Sequence, residues 1–166
     1  MTARPAARIF DPVAHPGPPV LQPGPGSQNV LIGGKPAWRG VLAAVAAALQ
    51  AAKAISDASI QTAEAATLAA AGTPGLPAAK AAEEAAKTAA AASMGLTITG
   101  AAGGADIHIC ATPLPIPPHG PGVVVNGSKT VLINGLSACR QADTIVEAVG
   151  PPNKIAMGLP TVHIGG

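Results

Sequence analysis

At 166 residues the chain has the length of one ordinary domain, yet with no Tyr, one Phe and one Trp it cannot build a large aromatic core, so its stability must come from small-residue packing, backbone pairing or a staple. Ten Lys and Arg against eight Asp and Glu leave a net charge of +2, scattered along the chain rather than gathered into the basic patch of a nucleic-acid binder. No segment has the about eighteen apolar residues of a membrane span or the apolar core of a signal peptide, and the expected compartment is therefore a reducing cytoplasm in which Cys110 and Cys139 serve as a metal ligand or free thiols rather than as a disulfide.

The first 40 residues contain a pattern that returns twice. Asp11 is followed four residues on by His15 and fifteen on by Gly26, which opens Gly26-Ser-Gln-Asn-Val-Leu-Ile-Gly-Gly34. This reads as a short strand between turn residues. Residues 41–99 interrupt the pattern with an Ala-rich segment that lacks Pro and Gly until Gly72-Thr-Pro-Gly75. Ala is the strongest helix former, so the segment reads as an antiparallel α-helical hairpin: a first helix of about 30 residues, roughly 45 Å long, and a second from Pro77 to Ser93. Lys80 with Glu84 and Glu83 with Lys87 have the four-residue spacing that supports a solvated helical face. Gly100-Ala-Ala-Gly-Gly104 reads as a flexible linker back to the repeats.

Beyond residue 100 the pattern recurs. Asp106 has Cys110 four residues on and reaches Gly127-Ser-Lys-Thr-Val-Leu-Ile-Asn-Gly135 through an arm six residues longer that carries His119. Asp143 has Glu147 four residues on and Gly158-Leu-Pro-Thr-Val-His-Ile-Gly-Gly166 fifteen on. Three equivalent positions, His15, Cys110 and Glu147, are expected to converge in a pseudo-threefold arrangement of short hairpins. Four prolines stiffen the connection from Cys110 to His119. Imidazole and thiolate form the donor set of a closed tetrahedral Zn²⁺ site, and a structural zinc would replace the core that so few large side chains can supply. Two residues compete for the fourth position. His108 shares a strand face with Cys110 and completes a set of His15, His108, Cys110 and His119. Glu147 is the alternative, placed second because carboxylate is the rarer partner of thiolate in closed sites.

Arg4-Pro-Ala-Ala-Arg8 ahead of Asp11, echoed by Lys35-Pro-Ala-Trp-Arg39 and Leu136-Ser-Ala-Cys-Arg140, resembles the PAAR-repeat family over residues 1–40 and 100–166. The resemblance implies an α+β fold: a small cone of β-hairpins stapled by zinc near its point, here a discontinuous module with residues 41–99 inserted. It also implies a function. Such a tip caps the trimeric VgrG spike of a type VI secretion system, one monomeric chain per trimer, for membrane puncture and effector delivery. It folds in the bacterial cytoplasm and leaves with the spike. In a second version the helical hairpin is an adaptor for an effector or its chaperone, or the machine is a phage-like contractile tail.

The remaining residues fit that frame. Cys139 reads as a small buried side chain, Trp38 as a cover for the base of the cone or the root of the hairpin, and His163 as a surface residue. Glu64, Glu83 and Glu84 are solvated helix charges. No nucleophile elbow, phosphate-binding loop or His-Glu-x-x-His occurs. A catalytic zinc on His15, Cys110 and His119 would keep an open position, but nothing predicts a cleft around it, and the expectation is a structural protein rather than an enzyme. On this reading, exchanging the helices for a short Gly-Ser loop preserves zinc and spike binding.

Overall fold

The computed structural model describes residues 2–15, 20–110 and 119–166; the four prolines expected to stiffen the Cys110–His119 connection lie outside them. In chain order the described elements are β1 (Arg4–Ala6), β2 (Leu31–Ile32), β3 (Lys35–Pro36), β4 (Arg39–Gly40), α1 (Ala43–Ala69), α2 (Leu76–Ala101), β5 (Ile107–Cys110), β6 (Gly120–Val124), β7 (Leu132–Ile133), β8 (Leu136–Ala138), β9 (Thr144–Glu147), β10 (Asn153–Lys154) and β11 (Leu159–Ile164). The class is α+β, with two long helices and small antiparallel sheets ordered β1-β11, β10-β9-β6-β5, β2-β3 and β4-β8-β7.

The repeat seen in the sequence is a repeat of contacts. In the first copy Ile32 pairs with Lys35 and Leu31 with Pro36; in the second Ile133 pairs with Leu136 and Leu132 with Ser137. In the third copy the partner of β11 is β1, with Ile164 opposite Arg4 and His163 opposite Pro5. These two pairs repeat the register of the other two hairpins. A closed ring of backbone hydrogen bonds follows. The N–H of Ala7 donates to the Cys139 carbonyl at 2.9 Å, that of Cys139 to Trp38 at 3.1 Å, and that of Trp38 to Ala7 at 3.0 Å. Buried backbone groups must be paired, and here each copy satisfies the next.

One ion pair per copy locks this ring. Arg8–Asp11 and Arg39–Asp106 approach to 2.8 Å and Arg140–Asp143 to 3.1 Å, and each arginine also donates its backbone N–H to the same carboxylate at 2.8 Å. In the first and third copies the partners are three residues apart; in the second they are 67 apart. The helical insertion thus takes the place of a two-residue turn, and the pair it separates is re-formed across its base.

The interior is layered. Ala6, Ala37 and Ala138 pack with Ile32, Ile133 and Ile164. The next residues along, Ala7, Trp38 and Cys139, pack with Val13, Leu21, Val124, Ile145 and Ile155. Trp38 is thus a core residue at the centre of this layer, rather than a cover over the base, and Cys139 is fully buried beside it, its thiol pushed well up by desolvation.

The helices form where Ala predominates, as expected, but α2 does not stop at Ser93. It continues through Gly95 and Gly100 to Ala101, so Gly100 and Ala101, expected in a linker, belong to the helix, and Ala102 beyond them is buried. Tertiary contact overrides the weak propensity of glycine. Met94, Ile98 and Ala102 join Val41, Ala46 and Leu49 against Val123, Val125 and Val146, and a side chain at Gly95 would press on Pro121 at 3.3 Å. Lys87 bridges Glu83 at 2.6 Å and Glu64 of α1 at 2.8 Å, tying the two helices together. Among the described residues no helix is long and apolar enough to cross a membrane.

Candidate metal centre

Two residues beyond Ile145 along β9 stands Glu147, about 6.6 Å further at the rise of an extended strand, which places it past the aliphatic layers. Its equivalents His15 and Cys110 reach the same place, and His119, from the longer arm of the second copy, joins them. Their ligand atoms all lie within 4.8 Å of one another. His15 Nε2 is 2.9 Å from His119 Nδ1 and 3.5 Å from Cys110 Sγ, and His119 Nδ1 is 2.7 Å from Glu147 Oε2. The two rings meet edge to face, with centroids 4.7 Å apart. His15 is half-buried and the other three are buried.

These distances suit a shared ion better than a hydrogen-bond network. An imidazole nitrogen has one in-plane direction for a proton or a lone pair, yet His15 and Glu147 both crowd Nδ1 of His119. Bond lengths of about 2.0 Å to nitrogen or oxygen and 2.3 Å to sulfur place tetrahedral ligands about 3.3 to 3.5 Å apart. The sulfur–nitrogen separation already has that value, and the nitrogen and oxygen contacts need only open by a few tenths of an ångström. The quartet can hold a metal ion.

His108 takes a different position. It falls two residues after its repeat aspartate, as do Val13 and Ile145 in the other copies, and is buried. It shares a strand face with Cys110, about 6.6 Å away along the strand, and stands in the same row as Glu147 across β6. Burial lowers its pKa to about 4, so the ring is neutral. Its Nε2 lies 3.5 Å from Glu147 Oε1, which has no hydrogen-bond partner among the described residues. These side chains come from strands that flank β6 on opposite sides, and they meet because both are in register with Gly122. A Cβ there would sit 2.7 Å from Glu147 Cγ.

Other contributors were not anticipated in the sequence. Asn153 donates from Nδ2 to Glu147 Oε2 at 2.8 Å and orients the carboxylate; desolvation raises the carboxyl pKa, against this hydrogen bond and the neighbouring His119. Gly150, at φ +86°, lies against the His119 ring, where a Cβ would be 2.8 Å from Nε2. The ring is thereby turned so that Nδ1 faces the quartet.

No curated protein and no solved structure matches the chain. A family model does: residues 116–166 match the PAAR motif. That span holds the longer arm with His119, the second copy's hairpin and the whole third copy with Glu147, and the first copy repeats its register and its Arg–Asp lock. The chain carries a PAAR motif, as its Pro-Ala-Ala-Arg and Ser-Ala-Cys-Arg tetrapeptides implied.

Proposed function

We propose that the chain is the tip of a contractile injection machine, seated on the trimeric VgrG spike of a type VI secretion system and closed at its point by one structural zinc. The observation that carries this reading is the threefold repetition of contacts within a single chain, with four ligands converging past the aliphatic layers. One copy of such a chain matches a threefold spike without itself being a trimer. The end formed by Ile32, Ile133, Ile164 and the turns beside them is the seat, and the quartet is the point.

His15, Cys110, His119 and Glu147 hold the ion. Charge favours Glu147 over His108: two neutral imidazoles, a thiolate and a carboxylate balance a divalent cation, whereas three imidazoles and a thiolate would leave a net positive charge buried, at high cost. With four protein ligands the site is closed and supplies rigidity rather than catalysis. The chain is accordingly a structural and interaction protein, which travels with the spike into the target. A second role, carrying an effector or its chaperone, is favoured by Ile55, Leu68 and Leu96 along the hairpin, each about three-quarters exposed.

Mixing the purified chain with its cognate spike and measuring mass by light scattering tests the capping geometry. One chain per spike trimer is expected; three chains per trimer, or no complex, would contradict it.

A further inference from the structure

Lys53 lies near the middle of α1, in the most Ala-rich part of the molecule, yet it is only 5% exposed. An ammonium is expensive to bury unless paired and hydrogen-bonded. Its Nζ meets Asp57 one turn further along and donates to the carbonyl of Gly150 at 2.9 Å, in the loop between β9 and β10. That loop borders the candidate metal centre. Gly150 presents its bare Cα to the ring of His119, and the N–H of Val149 donates to the His119 carbonyl at 3.2 Å. Val149 in turn packs with Ile60 of α1 and Ala90 of α2. On the other side of His119, Pro121 is held against Gly95 of α2.

We infer that the helical insertion is a positioning element of the metal site, with Lys53 as its hydrogen-bonding contact. Lys53 fixes the Gly150 carbonyl, Gly150 fixes the rotation of the His119 ring, and the ring presents Nδ1 to the ion. The inference rests on the reading of the quartet as a zinc site.

Lys53→Met keeps the length and the buried stem of the side chain and removes the donor. Zinc affinity, measured by competition with a chromophoric chelator, should fall about tenfold, the lower end for residues that orient a metal ligand. In the Co²⁺-loaded variant the d–d bands should shift, while helical circular dichroism stays at the wild-type level. Lys53→Arg, which retains a donor, should restore most of the affinity. Gly150→Ala, which leaves the hairpin intact, should shift the same bands by displacing the His119 ring. Wild-type affinity and spectrum in Lys53→Met would overturn the inference, as would an unshifted spectrum in Gly150→Ala or a loss of helicity that accounts for the weaker binding. A wild-type chain that binds neither Zn²⁺ nor Co²⁺ would instead remove the metal reading itself, and the inference with it.

Discussion

Cys110→Ser and His119→Ala are each expected to release the ion and to lower the melting temperature by about 15 °C, as is a strong chelator acting on the wild-type chain. Binding to a site that exists only in the folded state is folding free energy. Losing on the order of 5 kcal/mol of it, at about 3 °C per kcal/mol for a chain of this length, gives that shift. The effect is large because the interior has little else to hold its point. Past the layer of Val13, Leu21, Ile145 and Ile155, polar groups occupy the centre: His108, His119 and Glu147 are all buried. Within the site, Glu147→Gln should weaken metal binding more than His108→Ala, the reverse of the order that ligand frequency alone favours. Calorimetric scanning of the variants with elemental analysis checks both statements. A metal-free chain melting at the wild-type temperature would contradict them.

Asp106→Ala is expected to cost about 3–5 kcal/mol, the penalty for breaking a buried ion pair by removing one partner. Asp106 is fully buried. It accepts from the Gly26 N–H at 2.9 Å, from the Arg39 N–H at 2.8 Å, and from Nε and Nη2 of Arg39 at 3.0 and 2.8 Å. Removing it leaves these donors unpaired and a buried guanidinium without its counter-ion. It also opens the only one of the three Arg–Asp locks whose partners are not linked by a short turn, so the two chains entering the hairpin lose their clasp. Asp11→Ala, whose partner is three residues away and held by the local turn, should cost less. Urea denaturation followed by the emission of Trp38, which is buried in the neighbouring layer, measures both. A loss below about 1 kcal/mol for Asp106→Ala would show that the lock contributes only as much as a surface pair.

The parts of this structure written at fixed offsets were legible in the sequence. Asp11, Asp106 and Asp143 announce the three copies. The residue four positions on from each becomes a member of the quartet, and His119 was recognisable as an addition from the longer arm. Spacing along one strand does not place His108 relative to Glu147: the two meet across Gly122 of the strand between them, with Nε2 and Oε1 3.5 Å apart, while the ligand atoms of His15, Cys110, His119 and Glu147 lie within 4.8 Å of one another. The length of α2 was underestimated because Gly95 and Gly100 weaken a helix locally, while the packing of Met94 and Ile98 on β6, which sustains it, is tertiary. Lys53 stands among alanines with no spacing that singles it out, because the contact that makes it informative, to the Gly150 carbonyl, is tertiary.

The central claim is that four side chains from three copies of one repeat hold a single ion, and X-ray absorption at the zinc edge of the purified protein tests it most directly. One zinc per chain is predicted, with one sulfur at about 2.3 Å and three nitrogen or oxygen neighbours at about 2.0 Å; a chain purified without zinc, or a first shell without sulfur, would contradict it.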